Sequence, residues 1–293
     1  ENWLWVNGPT VFQNWYGGED YDACLAEELI GKIPSEENGW AKAKKMQSPK
    51  GVLMARECPP IKIEERFTAK SVKKLGEGHF LVDMGKNGAG FVELVLHGTT
   101  KENRGNWISM YPAEMINETD NGVDQRSCTQ SWSEKFDCVI RDSYRMAGTG
   151  EERWHPSFCY HGFQYVEVES SAPVTLTKES LTGLFMHTAV EPVGSFSCSN
   201  PLLNKIWKAT MEAYRSNLHS IPTDCPQREK NGWTADAHVA IDLALLGFDG
   251  ITLYEKWMND FIDNQREAGE ISGIIPSSGW GYGEWPGPVW DAA

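Results

Sequence analysis

The hydrophobic pattern of the chain changes its period close to Ser199. From about residue 60 to 195, apolar side chains tend to recur at every second position, which is the period of a β-strand. The segments concerned are residues 80–83, 91–97, 136–140, 163–169 and 184–188. Glycine, asparagine, aspartate and proline punctuate the intervals, and residues 85–88 are predicted to separate two strands. Short strands divided in this way are typical of an antiparallel β-sandwich.

After Ser199 the apolar residues follow the spacing of amphipathic helices. Asn200 followed by Pro201 is a typical cap and first turn, and it predicts a helix whose apolar face includes Leu203 and Ile206. A second helix is predicted from about residue 234 to 247. The third helix has the clearest pattern, formed by Leu253, Tyr254, Trp257, Met258, Phe261 and Ile262.

Three domains are expected within the 293 residues. Residues 1–50 are predicted to form the end of an N-terminal β-domain and a linker, residues 51–196 a β-sandwich, and residues 197–293 the first helices of a helical domain. Three helices with so much apolar surface cannot enclose a compact core by themselves. We therefore expect the helical part to belong to a longer helical domain.

Charge and cysteine content exclude several classes of protein. The formal net charge of −14 argues against a nucleic-acid partner, because phosphate contacts need clustered lysine and arginine. The sequence has no run of about 18 apolar residues, so no membrane span is expected. The seven cysteines form no C-x-x-C pair, which argues against a zinc ribbon or a thioredoxin-like site. A periplasmic or secreted location is favoured over a cytoplasmic one, and the oligomeric state stays open.

Tryptophan is unusually frequent, with 13 residues against 11 Phe and 9 Tyr. An indole presents a flat apolar face to a sugar ring, and its N–H can still reach a hydroxyl. Each single tryptophan is better explained by core packing. The excess as a whole favours a carbohydrate ligand.

The segment DCPQREKNGWTAD, which begins at Asp224, holds most of the chemistry. It combines three carboxylates, a guanidinium and an indole, namely Asp224, Glu229, Asp236, Arg228 and Trp233. Pro222 and Pro226 keep the start of the segment out of a helix, so we expect the carboxylates on a loop between two helices. Glycosidic cleavage needs one protonated carboxyl and a second ionised group that activates water or attacks the sugar. A mixed cluster of this kind fits an acid and a sugar-binding group. The same spacing equally fits two helix or turn caps and a surface ion pair.

The identity of the residues, rather than their spacing, resembles the signature of bacterial α-L-rhamnosidases of glycoside hydrolase family 78. Three more segments resemble these proteins in the same order. They are YGGEDYDA at 16–23, FLVDMGKNGAG at 80–90 and YHGFQYVEV at 160–168. The resemblance implies a concanavalin-like β-sandwich that leads into an (α/α)6 barrel, an inverting mechanism and a rhamnose-containing carbohydrate substrate. It implies no cofactor.

Site residues follow from the same resemblance, position by position. Glu229 is the candidate general acid. The candidate ligands of the rhamnose hydroxyls are Asp224, Arg228 and Asp236, and Trp233 is expected to wall the sugar. Trp290 and Asp291 resemble a further sugar-binding segment of the family, which usually has one more residue between its Trp and Asp. The general base of these enzymes is a glutamate expected beyond Ala293.

Two other functions fit the sequence. One is a related (α/α)6 hydrolase or lyase that acts on another glycan, and the other is a non-catalytic carbohydrate-binding fragment. Histidine does not change this choice, because His155, His161 and His238 show no metal-ligand spacing along the chain. No metal site is expected, and a structural role is preferred for His161.

Overall fold

The computed structural model describes residues 3–49, 51–119, 121–129 and 139–282. A β-rich part comes first and helices follow, so this order, predicted from the hydrophobic pattern, is confirmed. The strands are β1 (Leu4–Trp5), β2 (Thr10–Asn14), β3 (Gly18–Asp22), β4 (Ala41–Lys42), β5 (Ile61–Thr68), β6 (Ser71–Gly76), β7 (His79–His97), β8 (Trp107–Ala113), β9 (Met115–Ile116), β10 (Val123–Asp124), β11 (Asp142–Arg145), β12 (Glu151–Trp154), β13 (His161–Ser170) and β14 (Leu181–Thr188). The helices are α1 (Ala23–Leu29), α2 (Pro201–Ser216), α3 (Thr234–Gly247) and α4 (Ile251–Asn264).

Ten of these strands belong to one hydrogen-bonded sheet, in the order β2-β3-β11-β8-β13-β7-β14-β5 with β6 and β12 also paired to β7. Neighbouring strands run antiparallel, except that β3 and β11 are parallel. Through β2 and β3 the N-terminal segment is therefore hydrogen-bonded to the main sheet. Of the predicted strand at 136–140, residues 136–138 lie outside the described residues, and residues 139 and 140 are not in a strand.

Strand β7 corrects one prediction. Residues 85–88 were expected to separate two strands, but β7 continues through them for 19 residues. Its first half pairs with β6 and β13, and its second half pairs with β14 and β12. Gly85 has a φ of 79°, and a Cβ on Gly88 would lie 2.3 Å from the ring of Phe185. The glycines therefore let a continuous strand bend and approach a neighbouring ring, rather than end it.

The curled sheet encloses an apolar core of its own. Its fully buried side chains include Val82, Leu94, Ile108, Phe163 and Leu181. The end of β14 is hydrogen-bonded to the segment that follows α2, since the backbone N–H of Thr188 donates to the carbonyl of Leu218 at 2.7 Å. The β part and the helical part consequently pack as neighbours along this connection.

The three predicted helices of the second part are confirmed. The side chain of Asn200 accepts the backbone N–H of Leu202 at 2.9 Å, as expected of an N-cap. A second core is formed by residues of α2, α3 and α4 with Leu218 and Ile275. However, Leu203 and Ile206 on the predicted apolar face of α2 are 46% and 53% exposed. The three helices thus present apolar surface that they do not cover themselves.

The six cysteines in the described part of the chain are all free thiols. Within the same residues, no helix combines the length and the apolar character needed to cross a membrane.

Candidate active site

The signature segment lies on the loop between α2 and α3 and continues into the first turn of α3. This loop is closed by a reciprocal pair: the backbone N–H of Asp224 donates to the carbonyl of Asn231, and the N–H of Asn231 donates to Oδ1 of Asp224, each at 2.9 Å. Cys225 adds two contacts, since its thiol donates to Oδ2 of Asp224 and its Sγ accepts the N–H of Glu229, each at 3.1 Å. The loop itself therefore fixes the carboxylate of Asp224 and contacts the backbone of Glu229.

The carboxylate of Glu229 lies between an indole and a guanidinium. The indole N–H of Trp233 donates to Oε2 of Glu229 at 2.7 Å. The guanidinium of Arg228 is half exposed and lies 3.9 Å from Oε1. Trp233 caps α3 at its N-terminal end and meets Trp280 edge to face, with 5.8 Å between the ring centroids. A charged acceptor, a donor and an exposed cation thus converge at one point of the surface.

Asp224 is the second carboxylate of this cluster. Burial raises the pKa of Asp224, the hydrogen bonds from Cys225 and Asn231 lower it, and the charge of Glu229 raises it again. Both oxygens of Asp224 accept hydrogen bonds from the loop, and each keeps a further lone pair for a ligand. Asp224 therefore caps the loop, a role that the spacing left open. Its carboxylate can still accept hydrogen bonds from a ligand.

The remaining predicted site residues are Asp236, Trp290 and Asp291. Asp236 is exposed in the first turn of α3. Its carboxylate makes no ion pair or hydrogen bond with any residue that the structure describes. Trp290 and Asp291 lie outside the described residues. The structure therefore brings together Asp224, Arg228, Glu229 and Trp233, with Asp236 one helical turn beyond Trp233.

The segment that follows α4 is hydrogen-bonded to the backbone of the signature segment. The N–H of Thr234 donates to the carbonyl of Gly273, and the N–H of Ile275 donates to the carbonyl of Gly232, each at 2.9 Å. A Cβ on Gly232 would lie 2.0 Å from the carbonyl oxygen of Ile275. Only glycine allows this close approach of the two backbones.

Lys230 is absent from the predicted site residues, yet it is buried in the middle of the signature. Its ammonium donates to the backbone carbonyls of Trp15 and Tyr160. These two residues belong to, or directly precede, the YGGEDYDA and YHGFQYVEV segments. Lys230 thus lies in one family-like segment and is bound to residues at two others. The presence of these segments was a signal that could have identified it, but only the fold shows that they meet in space.

Two groups of side chains have the proximity that a metal ion would require, and neither spacing was visible along the chain. Asp142, Cys159 and His161 are all buried, and His79 lies with Glu167 and Glu169 at the surface. Strands β11 and β13 bring Asp142 and His161 together across the sheet, which spacing along the chain does not show, and the absence of a metal stays a prediction. In the buried group, the thiol of Cys159 donates to Asp142 at 3.3 Å, and Nε2 of His161 lies 3.1 Å from Oδ2 of Asp142. The satisfied hydrogen bonds support the preferred structural role of His161.

Three family models match successive parts of the chain. The α-L-rhamnosidase N-terminal domain matches residues 1–65, and the bacterial α-L-rhamnosidase concanavalin-like domain matches residues 73–187. The bacterial α-L-rhamnosidase 6 hairpin glycosidase domain matches residues 191–293. The order of the three models follows the change from strands to helices.

Individual relatives and solved structures match nearly all of the chain. An α-L-rhamnosidase of Formosa agariphila is 32% identical over 262 residues, which are 89% of this chain and 26% of that protein. The structure of α-L-rhamnosidase from Dictyoglumus thermophilum has a TM-score of 0.83 and 33% identity, over 94% of this chain and 30% of that one. The Streptomyces avermitilis α-L-rhamnosidase complexed with L-rhamnose has a TM-score of 0.82 and 28% identity, over 94% of this chain and 26% of that one.

The chain spans between 26% and 30% of the length of these relatives. The likeness nevertheless extends over nearly all of its own residues and through three rhamnosidase domains in the expected order. The chain belongs to the bacterial α-L-rhamnosidases of glycoside hydrolase family 78.

Proposed function

We propose that the chain carries the acid and sugar-binding side of the active site of an inverting α-L-rhamnosidase, which releases terminal α-L-rhamnose from glycans or glycosides. The observation that carries this proposal is the carboxylate of Glu229, which accepts a 2.7 Å hydrogen bond from the indole of Trp233. The charge of Glu229 also raises the pKa of Asp224, the other carboxylate of the cluster. Glu229 supplies the carboxyl that protonates the leaving oxygen, and Asp224 supplies a charged acceptor for a sugar hydroxyl. The similar Streptomyces avermitilis protein was solved with L-rhamnose.

Glu229 is assigned the role of general acid. Both oxygens of Asp224 already accept hydrogen bonds from the loop, and these bonds favour its ionised form. Oε1 of Glu229 instead faces the half-exposed side chain of Arg228. A proton on this oxygen can reach a bound leaving group without breaking the loop. The base that activates water is unassigned among residues 1–293.

Binding of the cleaved rhamnose is assigned to the charged and aromatic residues around Glu229. A carboxylate accepts hydroxyl protons, and a guanidinium donates to ring or hydroxyl oxygens in a fixed fork. An indole face packs against the methyl group of a 6-deoxy sugar. The residues are Asp224, Arg228, Trp233 and Asp236, with Trp290 and Asp291 as further contacts. No cofactor or metal enters the reaction.

The domain plan supports the same proposal. We infer a concanavalin-like β-sandwich at residues 51–196, preceded at residues 1–50 by the end of an N-terminal β-domain and a linker. Residues 197–293 then form the first helices of an (α/α)6 barrel. Support comes from the antiparallel pairing around β7 and from the descriptions of the matched family models.

The test uses the full-length enzyme that contains this chain. With an aryl α-L-rhamnoside that has a poor leaving group, Glu229→Gln should lower kcat by at least about a thousandfold. Binding of L-rhamnose, measured by calorimetry, should be retained. The matched control is Glu267→Gln, an acidic residue after α4 that the site does not use. Near-normal turnover by Glu229→Gln would remove it as the acid.

Substrate and stereochemistry need separate measurements. A panel of aryl glycosides should show hydrolysis of the α-L-rhamnoside alone, and NMR of the first product should show the inverted β-anomer. Faster hydrolysis of another glycoside would move the substrate to a different glycan. Sugar binding without any hydrolysis would instead support a non-catalytic carbohydrate-binding role.

A further inference from the structure

Lys230 places a buried ammonium group at the meeting point of three separate parts of the chain. The residue is 6% exposed. Its Nζ donates to the carbonyl of Trp15 at 2.6 Å and to the carbonyl of Tyr160 at 2.5 Å. Trp15 lies between β2 and β3, and Tyr160 immediately precedes β13. One side chain of the signature loop is therefore bound to both the N-terminal segment and the main sheet.

Aromatic rings surround the same ammonium group. Nζ lies 4.3 Å from the ring centroid of Tyr160, 5.2 Å from that of Trp15 and 5.7 Å from that of Tyr16. Trp15 and Tyr160 are themselves packed edge to face, with centroids 5.1 Å apart. No carboxylate among the residues that the structure describes lies within ion-pair distance of Nζ. The charge is thus held by carbonyl dipoles and ring faces, whose attraction is strongest out of water.

Neighbouring side chains of the loop have different partners. Glu229 is bound to Trp233 at the start of α3, whereas Lys230, the next residue, is bound to the β part. Lys230 adopts the left-handed conformation, with a φ of 54°. A non-glycine residue keeps this conformation only where its surroundings impose it. The two carbonyls and the aromatic rings provide that constraint one residue away from the proposed acid.

Asp224 does not depend on Lys230 in the same way. Its position is fixed within the loop by Asn231 and by Cys225. A change at Lys230 should therefore displace Glu229 more than it displaces the sugar-binding carboxylate. Protonation of the leaving group should suffer more than binding.

We propose that Lys230 is a positioning residue that holds the signature loop against the β part and thereby fixes Glu229 for proton transfer. This inference rests on the proposed function of Glu229. It also makes the N-terminal segment, through Trp15 and Tyr16, part of the support of a site that lies more than 200 residues later in the sequence.

Charged and titratable groups around Lys230 agree with a buried cation. Burial lowers the pKa of Lys230 to about 8, while Cys159, Asp142 and Cys225 act in the opposite direction. Lys230 in turn adds to the burial that lowers the pKa of His219, whose ring is stacked on that of Tyr160. At neutral pH the ammonium form is therefore retained in the aromatic surroundings.

The test compares Lys230→Met, Lys230→Arg and the control Lys256→Met in the full-length enzyme. Methionine keeps an unbranched apolar stem but leaves two carbonyls without their donor, and Lys256 forms an ion pair with Asp260 on α4. For Lys230→Met we expect kcat to fall about 30-fold or more and KM to change less than about fivefold. Arginine restores a cation and donors, so Lys230→Arg should recover at least about tenfold of this loss. Lys256→Met should match the parent.

Hydrogen exchange measured by mass spectrometry supplies a readout that does not require activity. Peptides covering residues 224–236, 14–22 and 157–162 should exchange faster in Lys230→Met than in the parent, while peptides of α4 should not change. If Lys230→Met fails to fold, Trp15→Ala takes its place, because Trp15 is 45% exposed and its loss removes one ring face. Trp15→Ala should show the same changes in kcat and in hydrogen exchange, but smaller ones.

Two results would overturn the proposal. One is a folded Lys230→Met enzyme whose kcat and KM both equal those of the parent. The other is unchanged exchange at residues 224–236. If the parent hydrolyses no rhamnoside, the proposed function fails by itself, and the exchange comparison still decides whether Lys230 holds the loop.

Discussion

The indole N–H of Trp233 donates a 2.7 Å hydrogen bond to Oε2 of Glu229, and the two residues are four positions apart. Trp233 directly precedes α3, so the first turn of this helix fixes the ring. The ring then fixes the carboxylate at the end of the signature loop. Trp233 is consequently a hydrogen-bond donor to the proposed acid, in addition to the wall for the sugar that the sequence predicts.

Replacing Trp233 with Phe should separate these two roles, because the aromatic face remains and the donor is lost. A hydrogen bond to a charged group contributes roughly 1.5–3 kcal/mol, so we expect kcat for an aryl α-L-rhamnoside to fall about 10- to 100-fold with a small change in KM. Trp207→Phe, which alters a packing tryptophan of α2, is the matched control. An unchanged kcat in Trp233→Phe would show that Glu229 is oriented by other contacts.

Asp224→Asn should lower activity and raise stability at neutral pH. Burial raises the pKa of Asp224 above its unfolded value. The ionised form of such a carboxyl destabilises the fold, and this effect is lost as the pH falls below the usual aspartate pKa of about 3.9. The variant should therefore melt higher than the parent at pH 7 and equally near pH 3. Its kcat/KM should drop at least about tenfold, since the proposed charged hydrogen bond to the sugar is removed.

Melting curves at the two pH values check this prediction, with Asp249→Asn at an exposed position as the control. A variant that melts lower than the parent at pH 7 would contradict it. In that case the hydrogen bonds from Cys225 and Asn231 would outweigh the effect of burial.

The helices could be predicted from the sequence because each carries its own local signals. Asn200 and Pro201 mark the start of α2, and the apolar spacing of α4 is regular. Strand β7 could not be predicted in full, because glycines that bend a strand and glycines that end one look alike in a sequence. The difference lies in Phe185, whose ring comes from another strand and packs against Gly88.

The candidate site divides in the same manner. Asp224, Arg228, Glu229 and Trp233 are close in the chain, so their clustering follows from a short loop. The environment of Lys230 depends on Trp15 and Tyr160, which are 215 and 70 positions away. A lysine between a glutamate and an asparagine has the local pattern of a solvated loop, and only the fold reveals its burial.

Gly232→Ala should disrupt the contact between the signature segment and the segment that follows α4. The added Cβ would lie 2.0 Å from the carbonyl oxygen of Ile275, so one of the two backbones has to move. Overpacking of this kind destabilises a fold by about 1–3 kcal/mol. We expect a lower melting temperature and reduced kcat. Gly8→Ala is the control, because a Cβ there meets nothing within 4 Å, and equal melting of the two variants would contradict the prediction.

The pH dependence of stability offers a final check on Lys230 that requires no substrate. Its pKa is lowered from 10.5 to about 8 in the folded protein, so the folded state binds fewer protons than the unfolded state between these two values. Stability contributed by this residue therefore rises as the pH rises from 8 to 10.5. The full change corresponds to roughly 3 kcal/mol, at 1.36 kcal/mol for each pKa unit.

The quantity to measure is the difference in unfolding free energy between the parent and Lys230→Met, since other titrating groups cancel in it. Burial keeps the pKa of the neighbouring thiols of Cys159 and Cys225 raised, so they add little charge in the lower part of this window. The difference should move in favour of the parent as the pH increases from 8 to 10. A difference that stays flat would contradict the lowered pKa, and it would mean that the two carbonyls and three rings offset the effect of burial on the ammonium group.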